Sequence, residues 1–172
     1  MQPRAPVKEI TINNPFRIVF VCLGNICRSP TAEGIFIHKV RERALTLFFY
    51  IDSAGTAAYH VGEPVNSKSQ QTANKYGVHL PSRARQFEYG DFEDFDLILA
   101  MDSSNNNNLH QLDGKNRFSD KIQMMRTFDS TPGDGDVPDP YYGGMQGFDT
   151  VFQILDRSCE QLLDKLEKYI VK

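Results

Sequence analysis

Only three cysteines occur in the 172 residues. Cys22, Cys27 and Cys159 follow no framework spacing, so the chain does not read as a disulfide-stapled secreted fold. No apolar stretch approaches the ~20 residues a helix needs to cross a bilayer. The opening MQPRAPVKEITINNPF mixes charges and prolines without a continuous hydrophobic stretch, which argues against a secretory signal. A net charge of -3 leaves no general basic surface, which excludes nucleic acid or an anionic membrane as the main partner. An anionic substrate must therefore be held by a local site. From these absences we expect a cytoplasmic monomer. The length, with 40% hydrophobic and 24% charged residues, asks for one ordinary globular domain. We place it at residues 16–172, after a flexible extension over residues 1–15.

What is present centres on FVCLGNICRSPTAEGI, residues 20–35. The apolar run Ile18 to Val21 ends at Cys22, a short polar loop follows, and a helix begins at Ser29-Pro30. A helix N-terminus offers unpaired N–H groups and the positive end of the macrodipole, so a loop entering one can cradle a phosphate-like anion. Gly24 and Asn25 tolerate the left-handed angles that turn successive N–H groups toward one centre. Arg28 adds a planar fork that can bind two phosphate oxygens, while Ser29 suits an N-cap and Pro30 a first helical position. A thiol at such a mouth, beside an arginine and a serine hydroxyl, is disposed to ionise and attack. Alone, Cys22 would read as a small buried hydrophobe; Arg28 and Ser29-Pro30 turn it into a candidate nucleophile.

Along the rest of the chain, the pattern predicts a helix over 29–44 with Ala32, Ile35, Phe36 and Val40 on one face. A strand follows over 45–51, closed by Asp52-Ser53-Ala54-Gly55. Further elements are a surface helix over 66–76 stopped by Gly77, a strand over 96–101, a short helix capped by Ser103, a strand over 122–128 and a long helix over 149–171. Cys159 falls on the apolar face of the last. Alternating strands and helices predict a three-layer α/β/α fold around a doubly wound, four-stranded parallel sheet of order 2-1-3-4. In such a sheet ligands bind beyond the carboxyl ends of the strands.

Residues 129–147, DSTPGDGDVPDPYYGGMQG, form a loop too long and too rich in Gly, Pro and Asp to be a simple connection. It follows a strand of the same sheet and so faces the same edge as Cys22. Within it Asp139 precedes Pro140, Tyr141 and Tyr142. An acid flanked by two rings suits an aryl phosphate substrate, the rings bracketing the substrate and the acid protonating the leaving oxygen. A calcium site through Asp129, Asp134 and Asp136 is the competing reading, but the spacing lacks the terminal glutamate of an EF-hand.

Cys22 to Ser29 fits C-x5-R-[ST], and with VCLGNICRSPTAE and the late Asp139-Pro140-Tyr141-Tyr142 the chain resembles the low-molecular-weight protein tyrosine phosphatases from about Phe16 onward. The resemblance implies double displacement at phosphorus on tyrosine-phosphorylated proteins, without metal or cofactor, and with inhibition by phosphate and other oxyanions. It makes Cys22 the nucleophile. Leu23, Gly24, Asn25, Ile26, Cys27, Arg28 and Ser29 become the phosphate cradle, and Asp139 the acid and then base. It gives Ser29 a hydrogen bond to the thiolate, Asn25 the loop's strained turn, Asp102 the orientation of Arg28, and Tyr59 the aromatic rim beside Tyr141 and Tyr142. It also pairs Cys22 with Cys27 in a reversible disulfide under oxidation.

One departure from the family pattern is visible: Ser82 stands where many members have a histidine bonded to the loop asparagine. Two other readings keep the same loop, an arsenate reductase of this architecture and a silent phosphate-binding module. The first needs two further relay thiols and has only Cys159; the second is opposed by the joint presence of Cys22, Arg28 and Asp139. The four histidines show no partner in the sequence and read as structural or surface groups.

Overall fold

A computed structural model describes residues 8–141 and 143–172. In chain order the elements are β1 (Phe16–Cys22), α1 (Arg28–Glu42), β2 (Phe49–Gly55), α2 (Ser67–Lys75), α3 (Asp91–Asp94), β3 (Leu97–Ala100), α4 (Ser103–Asp113), β4 (Ile122–Met124) and α5 (Met145–Glu167). Among the described residues the strands form one parallel sheet ordered β2-β1-β3-β4, as expected. The three-layer arrangement follows from alternation along β1. Phe16, Ile18, Phe20 and Cys22 join the core under α1 and α5, whereas Val19 and Val21 face Phe87, Phe92, Phe95 and Leu109 on the other side. α1 buries Ala32, Ile35, Phe36 and Val40, the face read from the sequence. Cys159 is fully buried on α5.

Boundaries moved where long-range pairing overrode local pattern. Residues Thr46–Phe48 make a 3-10 turn rather than strand, after Ala44 takes a left-handed φ of 56°. β2 then runs on through Asp52-Ser53-Ala54-Gly55, because it pairs residue for residue with β1 from Phe16↔Phe49 to Cys22↔Gly55. The segment read as a closing turn is thus the strand's carboxyl end, level with Cys22. α4 is longer than expected and capped by Asp102, whose carboxylate accepts from the Asn105 N–H at 2.8 Å, not by Ser103. β4 shortens to three residues before a 3-10 turn. α5 starts at Met145 and ends at Glu167.

The chain beyond α5 departs from helix to meet the N-terminal segment. Ile10 is buried, its N–H donates to Tyr169 O, and Val171 N donates back to Ile10 O. Lys8 also pairs with Asp96 at 2.8 Å. Residues 8–15, expected to be a flexible extension, are therefore fastened to the body by a buried side chain, two backbone bonds and an ion pair. Residues 1–7 of that expected extension lie outside the described residues. Asp129 of the long loop is held by Arg126 and Arg157, Asp136 accepts from Ser103, and Asp134 accepts from the Asp136 N–H, so all three carboxylates of the calcium reading are engaged within the protein.

Candidate active site

β1 delivers Cys22 to the carboxyl edge of the sheet, and the next five residues wrap into α1. Asn25 sits at φ 58°, the left-handed turn expected of it. Gly55 is needed for the loop to close: a Cβ there would lie 2.6 Å from Leu23 O. The loop is then stitched down from outside, Thr56 N donating to Cys22 O, Ala57 N to Leu23 O and Asn66 N to Ile26 O. Beneath it Ile26 and Cys27 pack on Ala84 and Phe148.

Ser29 is not the N-cap. Cys27 takes that position with no side-chain capping bond, which puts Pro30 in the helix's third place. The Ser29 hydroxyl is occupied otherwise: it accepts from Asn25 Nδ2 at 2.8 Å and lies 3.0 Å from Cys22 Sγ. Accepting from Asn25 leaves its own proton to turn either to sulfur or to Ala54 O, 3.3 Å away. Asn25 is fully used, Nδ2 also donating to Ser53 Oγ at 2.9 Å and Oδ1 accepting from Arg85 N at 3.0 Å. Ser82, expected beside Asn25, instead bonds the buried carboxyl of Glu33. A serine is too short to span the place a larger side chain would fill, and Ser53 and the Arg85 backbone hold Asn25 from there.

Arg28 is 3% exposed, with Nη1 donating to Asp102 Oδ2 at 2.6 Å and to Val137 O at 3.0 Å. Its Nη2 lies 3.5 Å from Asp139 Oδ2. Burial works against its charge, but Cys22, Asp102 and Asp139 outweigh burial and hold the guanidinium more firmly protonated than usual. Val137, buried and bonded through its N–H to Met101 O, pins the acid loop two residues before Asp139. Asp139 itself is 40% exposed, its Oδ1 accepting from the Tyr141 N–H. Burial pushes the Cys27 thiol up to about 12, partly offset by a bond to Ser69.

Cys22, Leu23, Gly24, Ile26, Cys27 and Arg28 form the floor of one pocket whose walls are Tyr59, Tyr141 and Asp139. Tyr142 lies outside the described residues. The sequence reading missed two contributors. His60 also lines this pocket, 6.1 Å from the Tyr141 ring and paired with Glu63; its adjacency to Tyr59 and the i,i+3 glutamate were the available signals. Ser53, hidden in a segment read as a turn, left no signal short of the β1–β2 register.

A thiol, a buried guanidinium and a carboxyl thus converge on a loop at a helix N-terminus of a doubly wound α/β scaffold, an arrangement able to hold a phosphate-like anion beside a sulfur. The family model of low molecular weight phosphotyrosine protein phosphatases matches residues 17–172. A candidate low molecular weight protein-tyrosine-phosphatase of Synechocystis is 43% identical over 155 residues, covering 90% of this chain and 99% of that one. A protein tyrosine phosphatase structure from Entamoeba histolytica superposes with a TM-score of 0.85 at 40% identity, over 89% of this chain and 97% of the other. A Drosophila arginine phosphatase superposes with a TM-score of 0.80 at 35% identity, over 86% and 95%. The chain belongs to the low molecular weight phosphotyrosine protein phosphatase family, and by family and fold it is a phosphatase that hydrolyses phosphoric monoesters.

Proposed function

We propose that this phosphatase works by double displacement at phosphorus on tyrosine-phosphorylated protein. Cys22 attacks in line, an S–P bond forms as the P–O bond to the tyrosine breaks, and Arg28 with the amides of residues 23–28 holds the equatorial oxygens. Asp139 gives its proton to the departing phenolate, whose conjugate acid has a pKa near ~10 and leaves poorly unaided. Asp139 then takes a proton from the water that hydrolyses the phosphocysteine, regenerating the thiolate and releasing phosphate. The observation that carries this reading is the guanidinium of Arg28, bonded to Asp102 and 3.5 Å from Asp139 across the pocket floored by Cys22.

An aromatic substrate is supported over a guanidinium phosphate by the walls, since Tyr59, Tyr141 and the aliphatic Ile26 offer ring and alkyl contact. Arsenate reduction is disfavoured because Cys159 is fully buried on α5 with its thiol held protonated by burial, and so cannot relay oxidation. Cys27 is the thiol available to close on an oxidised Cys22: peroxide converts the Cys22 thiolate to sulfenic acid, and condensation with the Cys27 thiol releases water and forms the disulfide. Its raised pKa makes that closure slow.

No helix among the described residues is long and apolar enough to cross a membrane. Three free thiols favour a reducing cytoplasm, and we read the chain as a monomer, which sedimentation tests. The deciding experiment is mass-spectrometric trapping of phosphate on Cys22 during turnover of an aryl phosphate, with Cys22→Ser as control. Turnover that survives in Cys22→Ser rejects the mechanism.

A further inference from the structure

Behind the phosphate loop lies a buried group that the reaction itself does not use. Glu33 projects from α1 and is 6% exposed, yet its hydrogen-bond partners are Asp52, Ser53 and Ser82. Two carboxyls in hydrogen-bond contact need a proton between them, because neither oxygen set can donate when both are ionised. Asp52 already has donors of its own. Its Oδ1 accepts from Ser53 N at 2.8 Å, and its Oδ2 accepts from Arg85 Nε at 3.0 Å. Glu33 has no cation of its own among the contacts described. Arg85 is shared between Asp52 and Asp91 of α3. On the same loop as Ser82 and Arg85, His79 and Arg83 are exposed, and Arg83 is turned to Gly62 O.

The pair connects to the nucleophile by a chain of directed bonds. Asn25 Nδ2 donates to Ser53 Oγ, so the Ser53 proton is free for the Glu33 carbonyl. The same Asn25 amide donates to Ser29, which reaches Cys22 Sγ. Arg85 closes the ring, its backbone N–H on Asn25 Oδ1 and its side chain on Asp52.

We propose that Glu33 is a positioning residue, which keeps the phosphate loop in its working shape through a proton shared with Asp52, and that loss of this proton slackens the loop and lowers turnover. Burial and the neighbouring Asp52 charge, only partly offset by Ser82 and Ser53, push the Glu33 carboxyl up to about 7, so the proton is lost within the range of ordinary assays.

Glu33→Gln keeps the shape, donating an amide N–H to Asp52 and accepting from the two hydroxyls at every pH. The ratio of E33Q to wild-type kcat/KM on an aryl phosphate is expected to rise about threefold from about pH 5.5 to about pH 8, the effect of coupling worth about half a pK unit. A ratio flat with pH overturns the proposal. Comparing the ratio removes every pH dependence that both proteins share.

Two readouts do not depend on turnover. Between the ordinary glutamate range and about pH 7 the folded wild type binds a proton that the unfolded chain has released, so its stability falls as pH rises through that window and levels off above it. E33Q lacks this fall, and its melting temperature should gain on the wild type across the same window. The wild type should also show a carboxylic acid carbonyl band in the infrared that disappears near pH 7 and is missing from E33Q. No such band at about pH 5.5, or parallel stability curves, would leave Glu33 a plain packing residue even if the phosphatase mechanism stands.

Discussion

In the proposed mechanism the phosphate loop and the acid loop serve one reaction, yet they are built in opposite ways. In the first, Asn25, Arg28 and Ser29 are buried and both polar atoms of the Asn25 side chain are paired. In the second, the backbone is pinned at Val137, and two residues on Asp139 stands 40% exposed with a long contact to Arg28. The difference matches the two tasks. Charge developing on phosphoryl oxygens is stabilised by donors that do not have to reorganise. A proton donor must instead reach leaving oxygens of differing position and then accept from water.

The largest test of this contrast removes the reacting groups themselves. Cys22→Ser should lower kcat by on the order of 10⁴ or more, with aryl phosphate binding retained in equilibrium titration. Asp139→Asn should lower kcat by ~10² to 10⁴ for phenols that leave poorly and far less for nitrophenols, which need little protonation. Equal losses across leaving groups would remove Asp139 from the acid role and dissolve the contrast.

Next in size is the support of the cradle. Asp102→Asn keeps a good cap on α4 but takes the counter-charge from Arg28, a loss of about 1.5–3 kcal/mol for a hydrogen bond between charged groups. That corresponds to roughly ten- to a hundredfold in kcat/KM, and the melting temperature should fall as well, because the guanidinium that loses its counter-charge is buried. Asn25→Ala should cost about 1–3 kcal/mol of stability by orphaning its partners, plus about 1 kcal/mol for a Cβ at φ 58° without a side-chain bond. Asn25→Gly relieves only the second part, so denaturant titration of the two variants separates strain from lost bonding.

How much of this was legible follows the same divide. The phosphate loop is contiguous, so Cys22, Arg28 and the turn at Asn25 could be read from one stretch, and the continuous apolar runs of β1 and β3, in a chain where strands alternate with helices, carried the parallel sheet. What escaped depended on register. Ser53 reaches Asn25 only because β2 pairs with β1 as far as Gly55, and the polar Asp52-Ser53 pair had looked like a turn. Ser29 looked like a cap because its local sequence is that of one, while tertiary contact with Cys22 claimed its hydroxyl. Residues 8–15 looked loose because their anchor, the bridge from Ile10 to Ile170, spans the whole chain.

The smallest expected effect lies at the rim. Tyr59 is 76% exposed, so Tyr59→Ala should leave stability within about 0.5 kcal/mol. A ring flanking the substrate ring contributes about 0.5–1.5 kcal/mol, so KM for an aryl phosphate should rise about two- to tenfold at nearly constant kcat. Inhibition by inorganic phosphate, which has no ring, should not change. If phosphate inhibition weakens in step with KM, Tyr59 supports the cradle rather than the substrate, and the division between a rigid anion floor and an aromatic wall must be redrawn.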